Sequence, residues 1–299
     1  MSCWRAGLGD DSIWPGRLGA VLRDERDPSF VKHTYEAQLR QRILQIACGY
    51  EDCNDATELR SEPAFQTAMN RVAGDESAAL ASQPTLSRFE RRTAAEVLAM
   101  SEVMVDVWID QLKARGAKAC RDIVLEFDPT DDPTHGPQQM SMSHGYYDQY
   151  MYHPLLVFDG EGWPVSGCAA AGACFGESGS GERVAADLRE DTERGQAGNF
   201  IKDLKNAMFA DRLSCSRFLS NQFRLLLHAA AYIVMLELRR EMANTALAKA
   251  QMDTLRLKLI KIGACIVVTA RRVWVQISEF DPSRPLFEYH ARRLARVPT

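Results

Sequence analysis

The segment IVLEFDPTDDPTHG, residues 123–136, carries a compact apolar run into one carboxylate, Asp128, followed by Thr130 and two further acids, Asp131 and Asp132. Hard divalent cations take oxygen ligands, and the end of a buried strand holds such a ligand rigidly. Asp128 is therefore the first candidate metal ligand, with Asp131 and Asp132 as lesser ones. A strand running into an Asp- and Pro-rich turn carries the same residues with no ion, and spacing alone leaves both readings open. His135, His144 and His153 recur every nine residues. Positions nine apart on a strand alternate faces, and no Cys or carboxylate completes a tetrahedral set, so hydrogen-bonded or exposed histidines are expected. Tyr146, Tyr147, Tyr150 and Tyr152 suit either stacking on nucleic-acid bases or packing in a sheet.

The elements that position these residues follow from hydrophobic period. Residues 30–110 read as helical. In HTYEAQLRQRILQIACGY, Tyr35, Leu39, Ile43 and Ile46 form one apolar stripe, with Gly49 as a C-cap. Asn54 or Asp55 can cap a second short helix, and PAFQTAMNRVA gives a third. SQPTLSRFERRTAAEVLAMSEVMVDVWIDQL reads as one long helical pattern, with Ser87 and Glu90 as a capping box and Gly116 as its end. IVLEF then reads as a strand, HGYYDQYMYHPLLVFD as two more broken at His153-Pro154, and WPVSGCAAA as an extension of the second. Residues 172–197 are Gly-, Ser- and charge-rich and read as a linker or a deletion scar. Helical spacing resumes at Asn199 through three segments, and ACIVVTARRVWVQISEF closes as a terminal hairpin. The fold class is mixed α/β: a helical N-terminal region, a small antiparallel sheet and C-terminal helices.

Composition narrows the class. The chain has 299 residues, 46% hydrophobic and 25% charged, as a soluble globular protein does. No apolar run is long enough for a membrane span, and MSCWRAGLGDDS does not read as a secretory signal, so a cytoplasmic location is expected. Eight cysteines are scattered without any CxxC pair, which favours reduced, mostly buried thiols over a zinc site. The net charge of −4 hides an asymmetry: from Gly198 onward 17 Lys or Arg face 8 Asp or Glu. A basic C-terminal third points to a polyanion such as DNA, although amphipathic helices solvated by Arg and Lys give the same count. Candidate phosphate contacts are Arg40, Arg42, Arg88, Arg91 and Arg92, then Lys202, Lys205, Arg212, Arg271 and Arg272. A helix-turn-helix with GYEDCND as its turn would fit the N-terminal region.

Several blocks, in a fixed order, resemble the DDE transposases of bacterial insertion sequences, in the group-one subgroup of DDE domains. They include GYEDCNDATELR (49–60), LASQPTLSRFE (80–90), FDPTDDPTHG (127–136), HGYYDQYMYHPLLVFDG (144–160) and FADRLSCSRFLSNQFRLLL (209–227). The resemblance implies an RNase H-like domain in which two aspartates and one glutamate hold two magnesium ions. It also implies water, then a DNA 3′-hydroxyl, attacking phosphodiesters in line. Asp128 matches the first aspartate. The second belongs to an Arg-x-Asp-Ser block that this sequence does not contain. The glutamate belongs to the helix opening RGQxENxIKDLK, and here that position is Gly198. Glu193 and Asp203 are each five residues away, a different face of a helix of about 3.6 residues per turn.

The resemblance thus implies an internally deleted transposase whose trio is short of two acids. Its expected parts are a DNA-end-binding helical region (1–115), the first part of a truncated RNase H-like domain (116–171), the scar (172–197), and its C-terminal helical part (198–299). Magnesium at Asp128 and Asp131, insertion-sequence terminal repeats as DNA partner, and either a homo-oligomer or a pairing with intact transposase are the implied contacts. A non-enzymatic DNA-binding remnant, which holds element ends or interferes with intact transposase, is the second expectation.

Overall fold

The computed structural model describes residues 15–115, 123–168, 197–269 and 272–294. Arg271, Glu193 and the Gly/Ser-rich stretch up to residue 196 lie outside them. The helices are α1 (Pro15–Ala20), α2 (Tyr35–Ala47), α3 (Ala56–Leu59), α4 (Pro63–Ala68), α5 (Gln83–Phe89) and α6 (Ala94–Ala114). After a β-rich stretch come α7 (Ala197–Met208), α8 (Phe218–Glu241), α9 (Met252–Leu255, running into a π turn at Arg256–Ile260) and α10 (Arg284–Leu294). The strands are β1 (Leu125–Pro129), β2 (Asp132–Pro133), β3 (Met142–His144), β4 (Gln149–Tyr152), β5 (Leu155–Asp159), β6 (Pro164–Cys168), β7 (Ala264–Val268) and β8 (Val273–Ile277). The fold is mixed, with helices and, among the described residues, three small antiparallel sheets. None of the described helices is long and apolar enough to cross a membrane.

The chain divides into two compact units, Met1–Glu90 with Val234–Thr299, and Arg91–Ile233. In the first, α2 buries the expected stripe (Leu39, Ile43 and Ile46), and Thr34 caps it by accepting from the Ala37 amide. Gly49 follows at φ +89°, the left-handed conformation a helix C-cap requires and a side chain resists. The helix is buried on a second face too, which holds Gln38, Gln41 and Gln45, with Arg42 between the two. Each has an internal partner, such as the exchange in which Gln41 bonds both the amide and the carbonyl of Ala81. Arg256, at the start of the π turn, donates to the Ala47 carbonyl and to Asp253, closing off the C-terminus of α2. The terminal hairpin is present as β7–β8, with Val268 opposite Val273.

The long helical pattern over 82–112 is two helices rather than one. Ser87 and Glu90 do not form the capping box; Thr93 and Glu96 do, with both reciprocal bonds made. A Thr three residues before a Glu satisfies the orphan amides of a new helix, so the chain breaks at Glu90–Thr93 and restarts.

In the second unit, the order β1-β5-β6 makes one sheet and β2-β4-β3 another, all antiparallel. WPVSGCAAA does not prolong a strand; β6 folds back on β5 through a turn in which Gly162, at φ +84°, lies against the Phe200 ring. Asp159 organises that turn. Its carboxylate accepts from the Glu161 and Trp163 amides, from Trp108 Nε1 on α6 (2.9 Å) and from Arg115 Nη2 (2.6 Å). The core gathers Met104 and Trp108 of α6, Phe158 of β5, Ile201 and Leu204 of α7 and Phe223, Leu227 and Tyr232 of α8. Burying such apolar side chains supplies roughly 1.5–3 kcal/mol each.

Candidate functional site

β1 carries Glu126 and Asp128 two residues apart, and strand alternation puts them on one face. Its register is fixed by β5, with Asp128 opposite Leu156 and Pro129 opposite Leu155. Asp128 is half-buried, and loss of water raises its carboxyl above the usual range. The chain then leaves the first sheet, tied by the Thr130 amide to the Pro154 carbonyl, and enters the second at β2, where Asp132 pairs with Tyr152.

Asp131 and Asp132 differ sharply in environment. Asp131 is partly exposed and meets Lys205 of α7, whose ammonium donates to the Asp131 carbonyl (2.7 Å), to Thr130 Oγ1 (3.2 Å) and to Asp131 Oδ1 (3.3 Å). Asp132 is 2% exposed, and neither of its carboxylate oxygens has a hydrogen-bond partner. It lines a small pocket together with Thr130, Asp131, Lys205 and Asp211. Burial, reinforced by Asp211 and Asp131 and opposed by Lys205 and Arg224, pushes the Asp132 carboxyl up to about 8.

That shift has a sign. Between the ordinary carboxylate range and about pH 8 the native state keeps a proton that the unfolded chain has lost, so stability falls as pH rises through that window. With EDTA present, the wild type should lose stability from about pH 4 to about pH 8 relative to Asp132→Asn. The gap at the upper end should reach about 1–3 kcal/mol in urea melts, the cost of an unsatisfied buried group. Parallel curves for the two proteins would contradict it.

The glutamate position of the resemblance falls on the first turn of α7, a helix packed against β1 and β5. Gly198 there is exposed, and a Cβ built on it would meet nothing within 4 Å. Among the described residues, no three His, Cys, Asp or Glu side chains converge in a group able to hold a metal ion. The described residues therefore do not fit a centre of two ions on three carboxylates.

The other sequence-derived candidates separate. Arg42 is 0% exposed, and its guanidinium donates to Glu90 (2.9 Å), Gln45 and the carbonyls of Glu51 and Asp52. It is an internal group, inaccessible to a phosphate. Arg92 is buried beside Glu96. Arg88, Arg91, Lys202, Arg212 and Arg272 are exposed, the last two over the rings of Phe209 and Trp274, and Arg40 is half-buried. Lys205 is engaged with Asp131. The histidines also differ from expectation: His144 and His153 sit on either side of β4's hairpin rather than along one strand. Their rings lie 5.6 Å apart, while His135 is exposed. Tyr152 is core, donating to the Gln139 carbonyl, whereas Tyr146, Tyr147 and Tyr150 are exposed. Cys48 and Cys53 are buried free thiols, Cys215 is half-buried and Cys265 exposed.

Lys205 and Asp211 belong to this site through contacts that the sequence reading did not assign. The text FADRLSCSRFLSNQFRLLLH has a packing explanation. Asn221 bonds Gln138, Tyr152 and both backbone groups of Cys215. Gln222 donates to the Gly167 carbonyl, and His228 Nδ1 meets the Met208 carbonyl at 2.6 Å.

The site is thus an acidic strand end, β1 running into β2, backed by α7 in a chain that mixes helices with small antiparallel sheets. The chain belongs to the transposase DDE domain group 1 family, whose model matches residues 15–169 and 180–299. The family is one of DNA-acting transposases that work with divalent metal. No curated protein and no solved structure matches the chain.

Proposed function

We propose that this chain is an insertion-sequence transposase by descent whose catalytic trio is incomplete, left without DNA cleavage and strand transfer. The observation that carries this is Gly198, an exposed position with open space around it, where the resemblance expects the glutamate ligand. The missing Arg-x-Asp-Ser block supports it. Phosphodiester transfer by two metals relies on ions clamping both the attacking and the leaving oxygens, and Asp128 alone does not supply the ligands for that. An internal deletion followed by loss of the glutamate is the simplest history. In this reading residues 1–115 meet element ends, while 116–171 and 198–299 are the two parts of the former catalytic domain, with magnesium its former metal.

The retained activity in this reading is DNA binding, with the exposed Arg88, Arg91, Lys202, Arg212 and Arg272 as phosphate contacts. A remnant of this kind holds terminal repeats or pairs with intact transposase. Gel shifts on the element's terminal repeats across a salt series test it. Apparent affinity should fall steeply as salt rises, because each neutralised phosphate releases counterions. Absence of a shifted band at low salt, from protein that melts cooperatively, would refute the binding reading.

A further inference from the structure

We propose that the tip of the β3–β4 hairpin is a stacking site for the bases of single-stranded DNA, built from Tyr146 and Tyr147 on the turn with His144 behind them. Four rings meet there in series. Tyr146 touches Tyr147 edge-on at 5.0 Å, Tyr147 lies 5.1 Å from His144, and His144 lies 5.6 Å from His153. Tyr146 is 85% exposed and Tyr147 47%, and Met142 of β3 is exposed as well. Large rings left open to water in a row mark a binding surface, and a tyrosine face stacks on any base.

The row is held in place from both ends. The Asp148 amide bonds the His144 carbonyl (2.9 Å) and closes the turn, with Asp148 in the left-handed region at φ +49°. The chain entering β3 is tied to the loop before α8. There the Gln139 amide donates to the Ser216 carbonyl (2.9 Å), and Gln139 Oε1 accepts from the Phe218 amide (3.3 Å). A surface fixed in this way gives up little freedom when a ligand arrives.

Charge selects the ligand. Residues 212–224, which include that loop, carry three arginines and no acid, and Arg217, next to Ser216, is exposed. Its guanidinium complements the phosphates that flank a stacked base. Asp148 is the one carboxylate between Thr134 and His153 and disfavours phosphate at the turn itself, so the rings receive the base and Arg217 the backbone. A duplex keeps its bases stacked on one another, which leaves the single strand as the ligand. The inference rests on the DNA-binding reading above and names a surface within it that is separate from duplex contact.

Fluorescence anisotropy on the full chain tests it, with a labelled oligothymidylate of about twelve nucleotides as the probe and a duplex of equal length beside it. The wild type should bind the single strand. Tyr146→Leu and Tyr147→Leu should each weaken that binding about fivefold or more, while Tyr146→Phe, which keeps the ring, should leave it unchanged. Tyr150, 62% exposed, lies opposite Ser143 and so on the other face of β4 from the His144–Gln149 pair; Tyr150→Leu should have no effect. Arg217→Gln should flatten the slope of log affinity against log salt by about 0.7. All these side chains are exposed or partly exposed, and circular dichroism melts should match the wild type.

Duplex binding without single-strand binding would overturn the stacking site and leave the proposed function standing. Single-strand binding that needs Tyr146 and Tyr147, with no duplex binding, would support the site and count against the terminal-repeat reading. Equal weakening by Tyr150→Leu, or binding indifferent to Tyr146→Leu and Tyr147→Leu, would overturn the site. Wild-type self-association that Tyr146→Leu abolishes, with no single-strand binding, would assign the rings to a second copy of the chain instead.

Discussion

Arg42→Met is expected to destabilise the first unit by about 3–5 kcal/mol, the usual cost of removing one partner of a buried ion pair. The substitution keeps the volume but leaves the Glu90 carboxylate, its side chain 7% exposed, facing the vacated space at the end of α5. It also strips a donor from the carbonyls of Glu51 and Asp52, which hold the GYEDCND loop against α2. Equilibrium urea melts measure it, and the double variant Arg42→Met/Glu90→Gln should recover part of the loss, because no uncompensated charge then remains. A single-variant cost under about 1 kcal/mol, the range of an exposed pair, would contradict the role assigned to Arg42.

Asp159→Ala should cost a similar amount in the second unit, about 3–5 kcal/mol. Its carboxylate serves two backbone amides, the Trp108 indole and Arg115 at once, and Arg115 also stacks over Trp163 at 4.7 Å. Removing it leaves the two amides and the indole without that acceptor, and leaves the buried Arg115 guanidinium with only the exposed Glu161 carboxylate as counter-charge, where the β5–β6 turn meets α6. Two tryptophans lie in this cluster, so their fluorescence and near-ultraviolet dichroism should change together with the loss of stability. An unaltered tryptophan signal in a protein of wild-type stability would show that the turn is held by other groups.

The helices were legible where one face is purely apolar, and misread where two periodic segments abut. α2 shows its stripe in Leu39, Ile43 and Ile46, and Gly49 marks its end. The break between α5 and α6 was hidden because Ser87–Glu90 and Thr93–Glu96 share one spacing, and only the second acquires both reciprocal bonds. Arg42 read as a phosphate contact because it is charged. Its position, three residues after Leu39 and four before Ile46, already placed it beside the buried stripe, and that was the available signal.

The site was legible as a strand ending in acids, but the ranking of those acids was not. Asp128 stood out by its place after IVLEF. Burial ranks Asp132 above it, and burial depends on β4 and α7 arriving from elsewhere in the chain. Likewise, the nine-residue spacing of His144 and His153 argued against proximity only while both were assigned to one strand. They lie on different elements, His144 ending β3 and His153 following β4, and their rings are 5.6 Å apart. The vacancy at Gly198, by contrast, was readable directly from the sequence, because it is a matter of residue type at a motif position.

The most direct measurement is a nicking and strand-transfer assay on supercoiled DNA carrying the element's ends, with magnesium or manganese and purified chain. The account predicts no product above background, and no difference between the wild type and Asp128→Asn. Nicked or joined DNA that forms with the wild type and disappears with Asp128→Asn would contradict it, because other acids would then be completing the trio.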